Sequence, residues 1–392
     1  MNAGRTVLEN VKILYGRDFS LVEGYIAFEQ GLIVEVGRGS FQGEAEKRLN
    51  GRGLLAIPGL INAHTHLGDS AAKELALGLT LKEAVAPPDG LKHRLLRSLK
   101  AETLTRWMEE TLRDMAATGT TCFADFRENG VQGITLLGEA LKKVRIEGLI
   151  LARPSSPEKV KDELESLAEV ADGIGIGSLS QYSDQALSLI AERLKGFKLL
   201  AAHAAEASSG EVERAVKRLR ADLLVHLTNA EDWELEMAAE AGVGVAVCPR
   251  SNATLGVGLP NVKRMVELGL KVGLGTDNVM VCQPDMFREM EFTSRVLRLK
   301  YGPSYPPPEQ VFKMATLWGA EALKLGDRLG SLEEGKQADV VLLDVEASNV
   351  APIHNLMASL IHRVRAENVM LVLVRGEVAY SRLPPEAWKL KP

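Results

Sequence analysis

Residues 198–250 read KLLAAHAAEASSGEVERAVKRLRADLLVHLTNAEDWELEMAAEAGVGVAVCPR. Three short apolar runs stand out. Lys198 to Ala202 stops at His203, Asp222 to Val225 stops at His226, and Val243 to Val247 stops at Cys248-Pro249. Each is continuous and does not alternate, which is how strands buried on both faces read. The segments between them are helical in character. Strand and helix in alternation argue for a parallel sheet with helices packed over it.

The same unit recurs in both directions along the chain. Leu60-Ile61-Asn62, Thr121 to Ala124 before Asp125, Gly148 to Ala152 before Arg153, and the glycine-rich Gly173 to Gly177 precede it. Val272 to Gly275, leading into Thr276-Asp277, follows it. Among the helical segments, Glu158 to Ala171 repeats Val160, Leu164, Leu167 and Val170 at spacings of three and four. About eight strand–helix units is the number that closes a (β/α)8 barrel. The expected fold is therefore α/β, a distorted TIM-like barrel over residues 58–329.

Both ends read as strands instead. Val7 to Leu14, Val22 to Phe28 and Leu32 to Val36 are punctuated by turn residues. Asp339 to Asp344 and Val369 to Val374 lack a helical period, and Arg375-Gly376 turns into a last strand. Residues 1–57 and 330–392 are expected to build one small β-sandwich, with the barrel inserted in it.

Composition excludes several classes. The 392 residues are 46% hydrophobic and 25% charged, with a net charge of −5. This is ordinary for a globular protein and gives no general attraction to nucleic acid or anionic membrane. Aromatic residues, at 5%, are too sparse for a base-stacking platform. The three cysteines, Cys122, Cys248 and Cys282, form no CxxC pair and suggest a reducing, cytoplasmic setting. The first residues carry scattered charges and no apolar core, unlike a signal peptide, and no apolar run reaches the ~18 residues of a membrane span.

The chemistry-bearing residues gather where these strands end. His64 and His66 are two apart in an extended segment, so both face one side and can share a metal. His203 can add a third imidazole, and Glu206 can lean back as a proton shuttle. His226 and Asp277 end two further strands. Taken singly, each has an ordinary structural explanation: a satisfied core histidine, an acidic first helical turn, or a helix cap. Together they lie at the C-terminal face where barrel active sites form. Three histidines and a carboxylate suit Zn²⁺, Fe²⁺ or Mn²⁺.

These pieces resemble the amidohydrolase superfamily, and within it the cytosine deaminase/chlorohydrolase-like branch. The resemblance rests on Pro58 to His66, Gly119-Thr120-Thr121 with Asp125, and His203 with Glu206. It continues through His226, Pro249-Arg250-Ser251-Asn252, Gly273 to Asp277 and Gly330 to Asp339. It implies a barrel flanked by a sandwich from both termini. It implies His64, His66, His203 and Asp277 as ligands of one divalent ion, zinc before iron. Glu206, His226 and Asp277 then become the catalytic groups. The Gly173–Gly177 strand offers no lysine for a bridging carbamate, which favours one metal over two.

The implied activity is hydrolytic deamination of a nitrogen heterocycle (a nucleobase, nucleoside or related ring) with release of ammonia. A cyclic amidase of the same machinery and a catalytically silent scaffold are the alternatives. The filled ligand positions disfavour the scaffold. Arg153, Ser180, Tyr182, Arg250 and Asn252 follow strand ends and are expected to line the mouth. Residues 87–94 read as a lid or as a surface turn. Nucleoside deaminases of this branch carry His-Ser where this chain has Leu179-Ser180, and an aromatic where it has Lys82 to Val85. That departure implies poor turnover of adenosine-type substrates. A small heterocyclic substrate and a homodimer complete the expectation, with no nucleic-acid or membrane partner.

Overall fold

The computed structural model describes residues 4–384 and 387–390. The remaining positions of the expected terminal unit, 1–3, 385–386 and 391–392, lie outside the described residues.

All eight strand units form. They are Leu60–His66, Thr120–Arg127, Glu147–Ala152, Gly173–Ile176, Leu199–Ala204, Leu223–His226, Gly244–Val247, and Val272–Leu274 continued by Asp277–Asn278. Each pairs in parallel with the next. The last strand is broken at Gly275-Thr276, and the break changes its partner. Val272–Leu274 pairs with Val245–Val247, whereas Asp277 and Asn278 pair with Thr65 and His66 of the first strand. The pairing thus returns to its start, as a barrel requires. Asn62 fixes the break: its Nδ2 donates to Thr276 Oγ1 at 2.7 Å and its Oδ1 accepts from Thr276 N at 3.0 Å.

Ile61, Ala63, Cys122, Phe126, Leu151, Leu223 and Val225 fill the interior beneath the strand ends, and Leu323, Leu325 and Leu329 close it from below. Connecting helices cover the outside, each burying one stripe. The segment with the repeating apolar residues forms the helix Val160–Val170, which buries Val160, Leu164 and Leu167. Val170 departs from expectation and is 49% exposed, because the helix stops there and turns away at Ala171.

The two ends of the chain share a nine-stranded mixed sheet. Leu54–Pro58 pairs antiparallel with Val340–Asp344, which joins them directly. The long strand Thr6–Tyr15 forks the sheet: Thr6–Glu9 pairs with Lys47–Asn50, and Lys12–Ile13 pairs with Leu55–Ala56. Leu8, Ile13, Ile26, Ile33, Leu342 and Leu371 form one apolar layer of it. Val341, Leu343, Val369 and Val372 belong to the main core shared with the barrel helices. Among the described residues no helix is long and apolar enough to cross a membrane.

Candidate metal centre

His64 and His66 leave the first strand on the same side, and both are buried. The other members arrive on the strands ending in His203, His226 and Asp277. Two of these adopt backbone conformations that side chains rarely tolerate: φ is 75° at His226 and 60° at Asp277. Strain of this kind concentrates at functional sites.

Hydrogen bonds fix the tautomers. His66 Nδ1 faces the Phe126 carbonyl at 3.2 Å and Glu128 Oε1 at 3.1 Å. Both are acceptors, so Nδ1 carries the proton and Nε2 a lone pair. His203 Nδ1 faces the Ile176 carbonyl at 3.1 Å, and His226 Nδ1 faces Asn252 Oδ1 at 3.2 Å. Their Nε2 atoms likewise present lone pairs. The Nε2 atoms of His66 and His203 then meet at 3.3 Å with no proton between them. His66 Nε2 is also 3.5 Å from Asp277 Oδ1, and His64 Nε2 is 3.3 Å from the same oxygen. Among the described residues, neither ring nitrogen of His64 has a hydrogen-bond partner. Ligand atoms of His64, His203, His226 and Asp277 all lie within 4.8 Å of one another. Facing lone pairs, an orphaned buried imidazole and a carboxylate fit one divalent cation of the nitrogen–oxygen-binding kind.

Electrostatics agree with that fit. Burial holds His64, His66 and His203 below the usual imidazole value, His66 down to about 3, so they remain neutral and free to offer lone pairs. Burial works to raise Asp277, but the surrounding imidazoles outweigh it and hold the carboxyl well below its ordinary range. Ser251 Oγ donates to Asp277 Oδ2 at 2.6 Å, and Asn278 Nδ2 donates to Oδ1 at 2.8 Å. Glu206 is the opposite case. Burial raises its pKa, and its Oε1 stands 3.6 Å from His226 Nε2.

These groups open into a cavity of about 590 Å³, lined by His66, His203, Glu206, His226 and Asp277. Thr80 to Lys82 and Val85 to Pro87 cover one side of it. Part of the expected lid therefore borders the site, from the turn between the helices Leu81–Val85 and Leu91–Ser98. A larger cleft of about 1070 Å³, between residues 110–117, 141–147 and 374–380, holds none of these residues.

The expected mouth residues divide. Arg153 and Ser180 line the cavity. Tyr182 does not; it borders a neighbouring cavity of about 710 Å³. Arg250 and Asn252 are corrections as well. The helix Pro249–Leu255 turns Arg250 toward the Gln283 carbonyl at 3.0 Å and Glu289 at 3.6 Å. It turns Asn252 behind His226, where it also donates to Thr228 Oγ1 at 2.8 Å. Leu179 is fully buried, and Ser178, Ser180 and Gln181 form the cavity wall beside it.

Sequence reasoning missed a buried charge network one turn away. Glu128 accepts from His66, Lys92, Arg127 and Arg153, and Arg127 also pairs with Asp125 at 3.2 Å. The run Asp125-Phe126-Arg127-Glu128 at a strand end was its visible trace.

Comparison with known proteins places the whole chain. Residues 55–379 match the Amidohydrolase family. The chain belongs to this family. A candidate aminohydrolase of Methanothermobacter thermautotrophicus is 34% identical over 391 residues, covering 95% of this chain and 98% of its own. A 5-methylthioadenosine/S-adenosylhomocysteine deaminase of Moorella thermoacetica is 30% identical, covering 86% and 85%. Among solved structures of the same fold, a zinc-bound adenosine deaminase of Xanthomonas campestris superposes with a TM-score of 0.82 at 21% identity, covering 96% of this chain and 93% of its own.

The amidohydrolase site makes one local demand that can be tested. A Cβ on Gly275 would lie 2.7 Å from His64 Cβ and 2.9 Å from His64 N. The backbone of the strand that carries His64 and His66 cannot yield cheaply. Gly275→Ala should cost ~1–3 kcal/mol in denaturant unfolding and lower metal affinity at the same time. Unchanged stability and metal content would show that the two strands are not packed this closely.

Proposed function

We propose that this amidohydrolase is a mononuclear metal-dependent aminohydrolase that deaminates a nitrogen heterocycle and releases ammonia. The observation that carries the reading is the convergence of proton-free imidazole nitrogens on a buried, ionised Asp277. The names of the relatives and the zinc of the structural neighbour support it. His64, His66, His203 and Asp277 would hold the ion, zinc before iron, and His226 offers a further ligand atom within 4.8 Å of those of His64, His203 and Asp277. A divalent ion there supplies the acidification that makes a water nucleophilic near neutral pH, shifting its pKa from 15.7 toward ~7.

The chain's own groups do the rest. Asp277 is ionised and accepts the attacking water's proton. His226, its Nδ1 proton held by Asn252, turns Nε2 toward the reacting centre. Glu206, whose pKa burial raises, donates its proton to the ring nitrogen beside the attacked carbon; Asp277 then passes the water's proton to the amine, which leaves as ammonia, and Glu206 takes back the proton of the new hydroxyl. Arg153 and Ser180 contact the remainder of the ring system. The terminal unit is residues 1–57 with 330–392, the fork at Thr6–Tyr15 separating the two layers of a sandwich, and residues 58–329 are the catalytic barrel.

The test is ammonia release by metal-loaded protein across purines, pyrimidines, pterins and their nucleosides. Turnover of at least one amino-substituted ring is expected. Hydrolysis confined to cyclic amides, with no ammonia from any amine, would replace the deaminase reading.

A further inference from the structure

A lysine is almost never fully buried unless it is paired, and Lys92 is only 2% exposed. It stands in the first turn of the helix Leu91–Ser98, where a positive charge opposes the helix dipole. The helix is held without it, because Leu91, Leu95 and Leu96 pack into the apolar clusters on either side. A buried cation carries a heavy desolvation penalty unless hydrogen-bonded partners offset it. The partners of Lys92 are therefore informative.

Its ammonium meets the seam that closes the barrel, where Asn278 pairs with His66. It donates to Glu128 Oε1 at 2.5 Å and to Asn278 Oδ1 at 3.1 Å. Each acceptor touches a different member of the metal-binding set. Glu128 Oε1 also accepts from His66 Nδ1, at 3.1 Å. Asn278 Nδ2 donates at 2.8 Å to Asp277 Oδ1, the oxygen that lies 3.3 Å from His64 Nε2 and 3.5 Å from His66 Nε2. Two arms thus run from one ammonium, through Glu128 to His66 and through Asn278 to Asp277.

The direction of the bonds in both arms follows from the ammonium, which can only donate. Asn278 must turn Oδ1 toward it, and that leaves Nδ2 for the carboxylate. The reversed amide would set an acceptor against Asp277 Oδ1. Glu128, ionised beside Lys92 and Arg127, can only accept, so the His66 proton stays on Nδ1 and the Nε2 lone pair faces the site. Arg127 and Arg153 also pair with Glu128. Among the described residues, Lys92 is the one cation on Glu128 that also bonds Asn278.

We infer that Lys92 is a positioning residue of the metal centre, fixing His66 through Glu128 and Asp277 through Asn278 in the orientations that bind the ion. The inference rests on the ligand set of the proposed function and is independent of which ring is deaminated.

The test is zinc affinity, measured on the full chain by competition with a chromophoric chelator. Lys92→Met, similar in length and neutral, should bind zinc about 10–100-fold more weakly than the wild type. Melting curves separate positioning from stability alone. A purely structural role would lower the stripped and the zinc-loaded protein alike and leave the rise on adding zinc unchanged, whereas a positioning role shrinks that rise. Co²⁺ gives a second signature, because its visible absorption reports ligand geometry while the filled d shell of Zn²⁺ is silent. The cobalt bands should shift in the variant. If Lys92→Met does not fold, Lys92→Gln, which keeps a polar head, is read in the same way. Affinity within about threefold of the wild type, or unaltered cobalt bands, would overturn the inference. Failure of the wild type to bind either ion would sink the ligand set and the inference with it. Weakened binding in the variants, with no ammonia released from any ring by the wild type, would sink the deaminase reading and leave the role of Lys92 standing.

Discussion

Glu206→Gln should retain metal and fold while losing roughly 10²–10⁴ of kcat, the usual contribution of a positioned general acid–base group. The amide keeps the shape and the hydrogen-bonding edge but has no proton to deliver. Glu206 has no role in the strand pairing, and among the described residues its carboxylate faces His226 Nε2 at 3.6 Å. Its pKa is raised, chiefly by burial, so the donor form persists to higher pH than in a free glutamate and is lost as pH climbs through that elevated value. The wild type should therefore show an alkaline fall in kcat that the variant lacks. Normal turnover by Glu206→Gln would remove the proton donor from the mechanism.

His66→Ala should lose metal and activity together. Its Nε2 stands 3.3 Å from His203 Nε2 and 3.5 Å from Asp277 Oδ1, at the edge of the site, while its Nδ1 is tied to Glu128. Removing the ring deletes a lone pair from the set and leaves the anchor without its load. An ion present at a hundred times its Kd adds ~2.7 kcal/mol of stability. Its loss should lower the melting temperature by on the order of 5 °C. Elemental analysis of variant and wild type decides the matter: equal metal content in both would take His66 out of the ligand set.

Much of the architecture was legible because the barrel strands are buried on both faces. Leu199–Ala202 and Gly244–Val247 are continuously apolar, and the residue ending such a run marks the C-terminal face of the sheet, where barrel active sites form. His64, His66, His203, His226 and Asp277 were found this way, by position and residue type together. The fork of the terminal sheet was not legible, because two partners for one strand depend on where Lys47–Asn50 docks. Arg250 and Asn252 were misjudged for a similar reason. They follow a strand end, but the helix Pro249–Leu255 decides which way each side chain turns. Lys92 and Glu128 escaped notice because a lone lysine in a polar segment reads as surface. Only the fold carries it beneath 2% exposure, onto a carboxylate 36 positions away in the sequence.

The most direct measurement is the rate of ammonia release as stripped protein is titrated with Zn²⁺, using any ring found to be turned over. One metal held by His64, His66, His203 and Asp277 predicts no ammonia from the stripped protein. It also predicts a linear rise and a sharp break at one equivalent per chain. Ammonia release without added metal, or a break at two equivalents, would contradict it.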